Sequence, residues 1–129
     1  PAAIASTGAM PKSSTPAWPW FVKLEEGLVS KERFDQVVPD HLAWVAELER
    51  AGHAPSSGYW GDRRGRDGAG GMLLFRAADM AAAEALVRRD PLVRAGCVRW
   101  MLHQWCVVFR SGTAAPGPSA PGGTPAPPG

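Results

Sequence analysis

The chain has 129 residues and a formal net charge of +2, with 14 Lys and Arg against 12 Asp and Glu. This length excludes a multidomain enzyme and any fold of about 200 residues, such as a complete TIM barrel. The charge is too small for the basic footprint of a nucleic-acid-binding protein. Ten of the 13 prolines fall within residues 1–20 and 112–129. We therefore predict disordered tails at residues 1–19 and 111–129 and one domain at residues 20–110.

The predicted cellular setting follows from the absence of membrane signals and from the cysteines. No apolar run approaches the roughly 18 residues of a membrane span, and residues 1–10 lack the composition of a signal peptide. Cys97 and Cys106 would lie about 30 Å apart on or beside one extended strand, too far for a disulfide. We therefore expect two free thiols, a cytoplasmic location, and no membrane partner.

The first half of the domain predicts one strand and one long helical stretch. The strand covers residues 20–25 and stops near Gly27. Ser30 is a suitable N-cap for a helix that reaches Ala51, with Gly52 at its C-terminal end. Pro39 should divide this stretch into two short helices or kink it at residue 38. Its second half has one apolar face at helical spacing, formed by His41, Trp44, Val45 and Leu48.

The second half predicts three strands and one helix. A weak strand at residues 53–60 is followed by a Gly- and Arg-rich loop at 61–68 and a third strand at 71–77. Asp79 should cap a helix at residues 80–89 that Pro91 terminates. The longest strand covers residues 98–109. The order βαββαβ predicts a ferredoxin-like α+β fold with a four-stranded antiparallel sheet and two helices on one face.

The last strand is apolar on both of its faces, and residues 20–24 and 72–75 share this property. In a ferredoxin-like fold only one sheet face is covered by helices, so the second apolar face needs another partner. Self-association through the sheet is the economical solution, and we predict a homodimer. A large open ligand cleft is the alternative.

His41 is the first candidate for chemistry because it lies within the apolar face of the helix. Imidazole groups exchange protons near neutral pH, which suits a general acid or base. A core histidine bonded to a carbonyl or carboxylate is the structural alternative. A catalytic role requires a carboxylate that orients the ring, and Asp90, at the end of the second helix, is the candidate.

The remaining polar motifs indicate no metal or nucleotide site. The three histidines are scattered over different elements, and no phosphate-binding loop or dinucleotide fingerprint occurs. The arginines in the loop, Arg63, Arg64 and Arg66, fit a solvated hairpin loop better than an anion site. We expect no cofactor and no metal. Aromatic side chains could line a small-molecule pocket or fill a dimer interface; they are Trp44, Tyr59, Trp60, Trp100 and Trp105.

Three segments resemble the YCII-related (YciI-like) family: HLAWV at 41–45, Ser57-Gly58, and DPLVRAG at 90–96. The resemblance covers about residues 20–110 and implies a dimeric α+β barrel with a pocket between helices and sheet. It also implies that His41 and Asp90 form an acid–base pair. The family commonly has Pro after the glycine of the second strand, whereas Tyr59 follows Gly58 here.

Together these features predict a small cofactor-independent enzyme of the lyase or isomerase type. His41 and Asp90 would act on a small cyclic or aromatic metabolite by elimination, dehydrohalogenation or tautomerisation. The expected substrate contacts are Trp44, Gly58, Tyr59, Trp60 and Trp105. A non-catalytic ligand-binding or accessory dimeric module is the alternative, and a cofactor-free monooxygenase is the third possibility.

Overall fold

The computed structural model describes residues 18–112. The two predicted tails lie outside this range, except for residues 18–19 and 111–112. The elements, in chain order, are β1 (Trp20–Gly27), α1 (Lys31–Arg50), β2 (Ser56–Tyr59), a 3-10 turn (Gly61–Arg63), β3 (Gly71–Arg76), α2 (Met80–Val87), α3 (Pro91–Arg94) and β4 (Val98–Trp105).

The four strands form one antiparallel sheet in the order β2–β3–β1–β4. With the two main helices, this is the ferredoxin-like βαββαβ arrangement, so the predicted fold class is confirmed. The core lies between one sheet face and the helices, where Phe21 of β1 and Phe75 of β3 are fully buried. They pack against Trp44 and Leu48 of α1 and against Val87 of α2.

Helix α1 is continuous through Pro39, so of the two alternatives the division into two short helices does not occur. Pro39 lies on the exposed face of the helix, where the carbonyl four residues earlier can bond to water. The Ser30 hydroxyl accepts a hydrogen bond from Arg33 N at 3.2 Å, as an N-cap does. At the other end, Gly52 has φ +91° and His53 N donates to Leu48 O, which completes a Schellman motif.

The segment after α2 differs from the prediction. Helix α2 ends at Val87, and Pro91 begins the short helix α3 instead of only terminating the one before it. Proline suits the first helical position because its missing N–H would have no partner there. Asp90 is therefore the N-cap of α3, whereas the sequence placed it at a helix C-terminus.

Two predicted strands are shorter than expected. β2 covers only Ser56–Tyr59 of the predicted residues 53–60. β4 ends at Trp105 and not at residue 109. Trp105 pairs with Trp20, the first residue of β1, and the preceding Pro19 has no N–H to extend the ladder. Beyond this point Val108 and Phe109 are largely exposed.

The outer face of the sheet is apolar along three strands, although β4 is shorter than predicted. Successive side chains of a strand point to opposite faces of the sheet. Trp20, Val22 and Leu24 therefore lie on the outer face, opposite the buried Phe21. The cross-strand register places Met72, Leu74, Met101 and Trp105 on the same face. Met101 and Trp105 are 55% and 48% exposed. The same register places Arg76 and His103 on this face, and the Arg76 guanidinium lies 4.5 Å from the centroid of the Trp20 ring.

The described residues also bear on the expected location. No helix within residues 18–112 is long and apolar enough to cross a membrane. Cys97 and Cys106 are both free thiols; Cys97 is buried and Cys106 is exposed. Burial raises the pKa of the Cys97 thiol above its usual range.

Candidate active site

Asp90 lies at the centre of a buried polar cluster between the helices and the sheet. As the N-cap of α3, its Oδ1 accepts a hydrogen bond from Leu92 N at 2.9 Å. The turn directs the rest of the carboxylate into the core, where the residue is completely buried. A buried carboxylate is costly unless charged or hydrogen-bonding partners surround it.

A hydrogen-bonded chain runs from Asp90 to the edge strand. Asp90 Oδ1 lies 2.8 Å from His41 Nδ1, and His41 Nε2 lies 2.9 Å from Ser57 Oγ. His41 is 5% exposed, whereas Ser57 belongs to an exposed strand. The chain therefore connects the buried carboxylate to the solvent-accessible edge of the sheet.

The hydrogen bonds between Asp90, His41 and Ser57 have a defined donor-to-acceptor direction, because an ionised carboxylate can only accept hydrogen bonds. Facing Asp90, His41 Nδ1 must therefore carry the hydrogen. In the neutral ring Nε2 is then an acceptor, and the Ser57 hydroxyl donates to it. The lone pair of His41 Nε2 thus points toward the exposed edge of the sheet, where a basic nitrogen can accept a proton.

Lys23 of β1 supplies the positive charge that balances Asp90. Its Nζ lies 2.6 Å from Asp90 Oδ2 and 2.5 Å from Glu25 Oε1, and its side chain is fully buried. The Glu25 contact lacks hydrogen-bond alignment and acts as an ion pair. Burial raises the pKa of Asp90, but the His41 hydrogen bond and the Lys23 charge outweigh it, so the net shift is downward.

Trp44 packs beside this chain. The ring centroids of His41 and Trp44 are 5.9 Å apart with the planes tilted by 40°. The indole Nε1 of Trp44 is buried and has no hydrogen-bond partner among residues 18–112. Buried indole N–H groups usually find a partner, so this unpaired donor is an exception within the core.

A cavity of about 290 Å³ lies near the polar chain, although His41, Ser57 and Asp90 are not part of its lining. Val38, one helical turn before His41, and Tyr59, two residues after Ser57, belong to its lining. One turn of helix corresponds to about 5 Å, so the cavity wall at Val38 lies about one turn along α1 from His41. Its other walls come from the N-terminal part of α1 and from the loop at residues 64–70.

The predicted site residues occupy different positions relative to this centre. His41, Asp90 and Trp44 lie together, and Gly58 and Tyr59 follow Ser57 on β2. Of the five expected substrate contacts, only Tyr59 lines the cavity. Trp60 is 36% exposed just after β2. Trp105 lies on the outer face of the sheet, away from His41, because it pairs with Trp20.

Three members of the cluster were not singled out from the sequence as site residues. Lys23 and Glu25 alternate with Val22 and Leu24 in β1, a charged-apolar alternation that resembles a half-exposed strand. The available signal is that Lys23 lies two residues after Phe21, on the same strand face, and that face is buried. Ser57 was noted only as part of a resemblance, and nothing in its local sequence distinguishes it from a turn serine.

The fold and this polar centre define a ferredoxin-like α+β protein with a buried His–Asp pair and a small cavity about one helical turn away. Within residues 18–112, no three His, Cys, Asp or Glu side chains are grouped to hold a metal ion. The family model for the YCII-related domain matches residues 20–102. The chain belongs to the YCII-related family.

Comparison with solved structures supports the same fold. The chain resembles 5-chloro-2-hydroxyhydroquinone dehydrochlorinase from Burkholderia phenoliruptrix AC1100, solved in complex with 2,5-dihydroxybenzoquinone. The TM-score is 0.52 at 18% sequence identity, and the match covers 67% of this chain and 93% of the other. No curated protein matches the sequence.

Proposed function

We propose that the protein is a cofactor-independent acid–base enzyme of the lyase or isomerase type, acting on a small cyclic or aromatic compound. The observation that carries the proposal is the directed chain from Asp90 through His41 to Ser57. Asp90 holds the His41 ring in one tautomer and stabilises its protonated form. His41 is the general base, and later the general acid.

The chemistry needs only a proton acceptor and a site that limits water. His41 Nε2 takes a proton from the substrate, either directly when Ser57 swings aside or through the Ser57 hydroxyl. The electron pair released from the substrate forms a new π bond. In an elimination the leaving group departs with its bonding pair; in a tautomerisation His41 returns the proton to another atom.

The structural neighbour supports the lyase class. Its name describes a dehydrochlorinase, and a dehydrochlorination is an elimination of this kind. We extend the reaction class to this chain because both share the fold and because the His41–Asp90 pair supplies a base about one helical turn from the cavity wall at Val38.

The experiment follows proton transfer directly. The protein is incubated in D₂O with 5-chloro-2-hydroxyhydroquinone and with 2,5-dihydroxybenzoquinone, and chloride release and ring deuterium are measured. We expect His41→Ala to lower either rate by about 10²–10⁴-fold. His53→Ala is the matched control, because His53 hydrogen-bonds to Arg76 O away from the chain. A folded His41→Ala protein with undiminished turnover would contradict the proposal and favour a binding module.

A serine nucleophile is the second candidate function, favoured by the Ser57–His41–Asp90 sequence of hydrogen bonds. This order matches the chain that activates serine in acyl transfer. Against it, Ser57 lies within an extended edge strand, whereas nucleophilic serines commonly occupy a sharp strand-to-helix turn. A fluorophosphonate adduct on Ser57, detected by mass spectrometry, would establish this reading.

We also propose that the protein is a homodimer that buries the outer sheet face. Apolar residues of three strands lie on that face, and Met101 and Trp105 are about half exposed in the single chain. A contiguous apolar surface of this kind marks an interaction site. Sedimentation analysis should find a dimer, and Met101→Glu should shift it to a monomer. A wild-type monomer at micromolar concentration would contradict the proposal.

The proposed location is the cytoplasm. Both cysteines are free thiols, and free thiols persist in a reducing compartment. Cell fractionation with an epitope-tagged chain tests this placement.

A further inference from the structure

We infer that the cavity beside His41 binds a single-ring compound carrying an acidic group that is ionised at neutral pH, and that Arg64 and Arg66 receive this group. The inference rests on the proposed function, since it names the substrate class of the same site. The evidence comes from the size, charge and construction of the cavity.

The cavity is small and has apolar walls. Its volume of about 290 Å³ is just below the roughly 300–1,000 Å³ of small-molecule sites, which suits a small occupant such as a single substituted ring. Phe34 and Val38 of α1 form one wall, and the Tyr59 side chain contributes another. A planar unsaturated ring fits between such surfaces and contacts the Tyr59 face.

The charged groups of the lining are predominantly cationic. Lys31, Arg64 and Arg66 contribute three positive charges, and Asp35 is the only acidic lining residue. Asp35 pairs with Lys31, one helical turn away. Among residues 18–112, neither Arg64 nor Arg66 has a carboxylate partner, although the Arg64 guanidinium lies 6.0 Å from the Tyr59 ring centroid. Two unpaired guanidinium groups at the rim of an apolar cavity favour a carboxylate or another planar anion.

The loop that carries these arginines is held in place at its C-terminal end, at residues 67–70. Asp67 Oδ1 accepts a hydrogen bond from Lys31 N at 2.8 Å, which joins the loop to the start of α1. Gly27 N donates to Gly68 O at 3.3 Å. Gly70 has φ +73°, and a Cβ there would lie 2.3 Å from Glu25 O. The loop therefore packs against β1 and α1, which fixes the backbone positions from which the arginine side chains extend.

This arrangement also orients the ligand. In this proposal, an anionic group held by the loop leaves the opposite side of the ring at the Val38 and Tyr59 wall, from which it would extend toward Ser57 and His41. The arginines and the basic nitrogen thus act on different parts of one molecule. The positive rim also stabilises negative charge that develops on the ring when His41 removes a proton.

The test compares two probes that differ only in the anionic group: 2,5-dihydroxybenzoate and hydroquinone. Binding to the full chain is measured by calorimetry at pH 7. We expect the benzoate to bind more tightly, with an affinity that falls as salt rises. Arg64→Gln and Arg66→Gln should each weaken it about tenfold and leave hydroquinone unchanged. Arg63→Gln is the matched control, because Arg63 belongs to the same loop but not to the cavity lining.

The outcomes separate this inference from the proposed function. Equal binding of the two probes, no binding of either, or loss of affinity in Arg63→Gln equal to that in the other variants overturns the inference. His41→Gln should retain the benzoate affinity within about twofold, because His41 acts on the reacting side of the ring. Arginine-dependent binding without His41-dependent proton exchange would leave the anion site standing and reject the acid–base function.

Discussion

Lys23 and Asp90 are 67 positions apart in the sequence, yet Lys23 Nζ lies 2.6 Å from Asp90 Oδ2 and both side chains are fully buried. Lys23 comes from the central strand β1, and Asp90 from the N-cap of α3. The pair therefore joins the first strand to the segment that carries the carboxylate partner of His41. A buried ion pair of this type contributes little net stability but is costly to break.

The first prediction concerns this pair. Lys23→Met should lower the free energy of unfolding by about 3 kcal/mol, because it leaves the buried Asp90 carboxylate without its cation. Urea denaturation measures the effect. Lys31→Met is the control, since Lys31 is half exposed and pairs with Asp35 at the surface, where an ion pair is worth less than about 1 kcal/mol. Equal losses in the two variants would contradict the structural role of Lys23.

The second prediction is the pH dependence of stability due to Asp90. The folded-state pKa of Asp90 is lowered, so the unfolded chain binds this proton more readily. The stabilising contribution is complete above the unfolded pKa of about 3.9 and is lost as the pH falls through the folded pKa. The difference in unfolding free energy between wild type and Asp90→Asn should therefore narrow as the pH falls below about 4. A difference that stays constant to pH 3 would refute the lowered pKa.

The third prediction separates relay from nucleophile at Ser57. If Ser57 passes a proton to His41, Ser57→Ala should lower kcat about tenfold with little change in KM, because a water molecule replaces the hydroxyl. Ser56→Ala is the control, since adjacent strand residues face opposite sides of the sheet. A loss in Ser57→Ala as complete as that in His41→Ala would instead favour covalent catalysis.

The fourth prediction tests the close approach of β2 and β3. A Cβ at Gly71 would lie 2.0 Å from Gly58 O, whereas a Cβ at Gly58 would meet nothing within 4 Å. Gly71→Ala should destabilise the protein by about 1–3 kcal/mol through forced backbone displacement. Gly58→Ala should be neutral or slightly stabilising. Thermal unfolding of both variants measures this, and similar melting temperatures would show that the strands can separate freely.

The fold could be predicted from sequence because its signals are local. The cap at Ser30, the apolar face containing His41 and Leu48, and the glycine at position 52 each act within one or two turns of chain. The predicted element boundaries are wrong where a partner that is distant in the sequence sets the end of an element. β4 stops at Trp105 because β1 begins at Trp20, and no pattern within β4 contains that information.

The candidate site was predicted in part for the same reason. His41 was identifiable from its own helix, and Asp90 from its position before a proline and from the family resemblance. Lys23 was not, because its burial depends on Asp90 arriving from the other end of the domain. The sequence predicts a solvated arginine loop, and residues 61–67 are exposed. The contact of Asp67 with α1 and the cavity behind the loop are not visible in local composition.

The anchored loop at residues 64–70 contributes most of one cavity wall but none of the proton-transfer groups, which come from α1, β2 and the N-cap of α3. If the proposed function holds, substrate selection and proton transfer are encoded in separate stretches of the chain. Exchanging this loop for one of different charge, with Asp67 and the glycines retained, should then change which ring compounds bind and leave the His41–Asp90 pair intact.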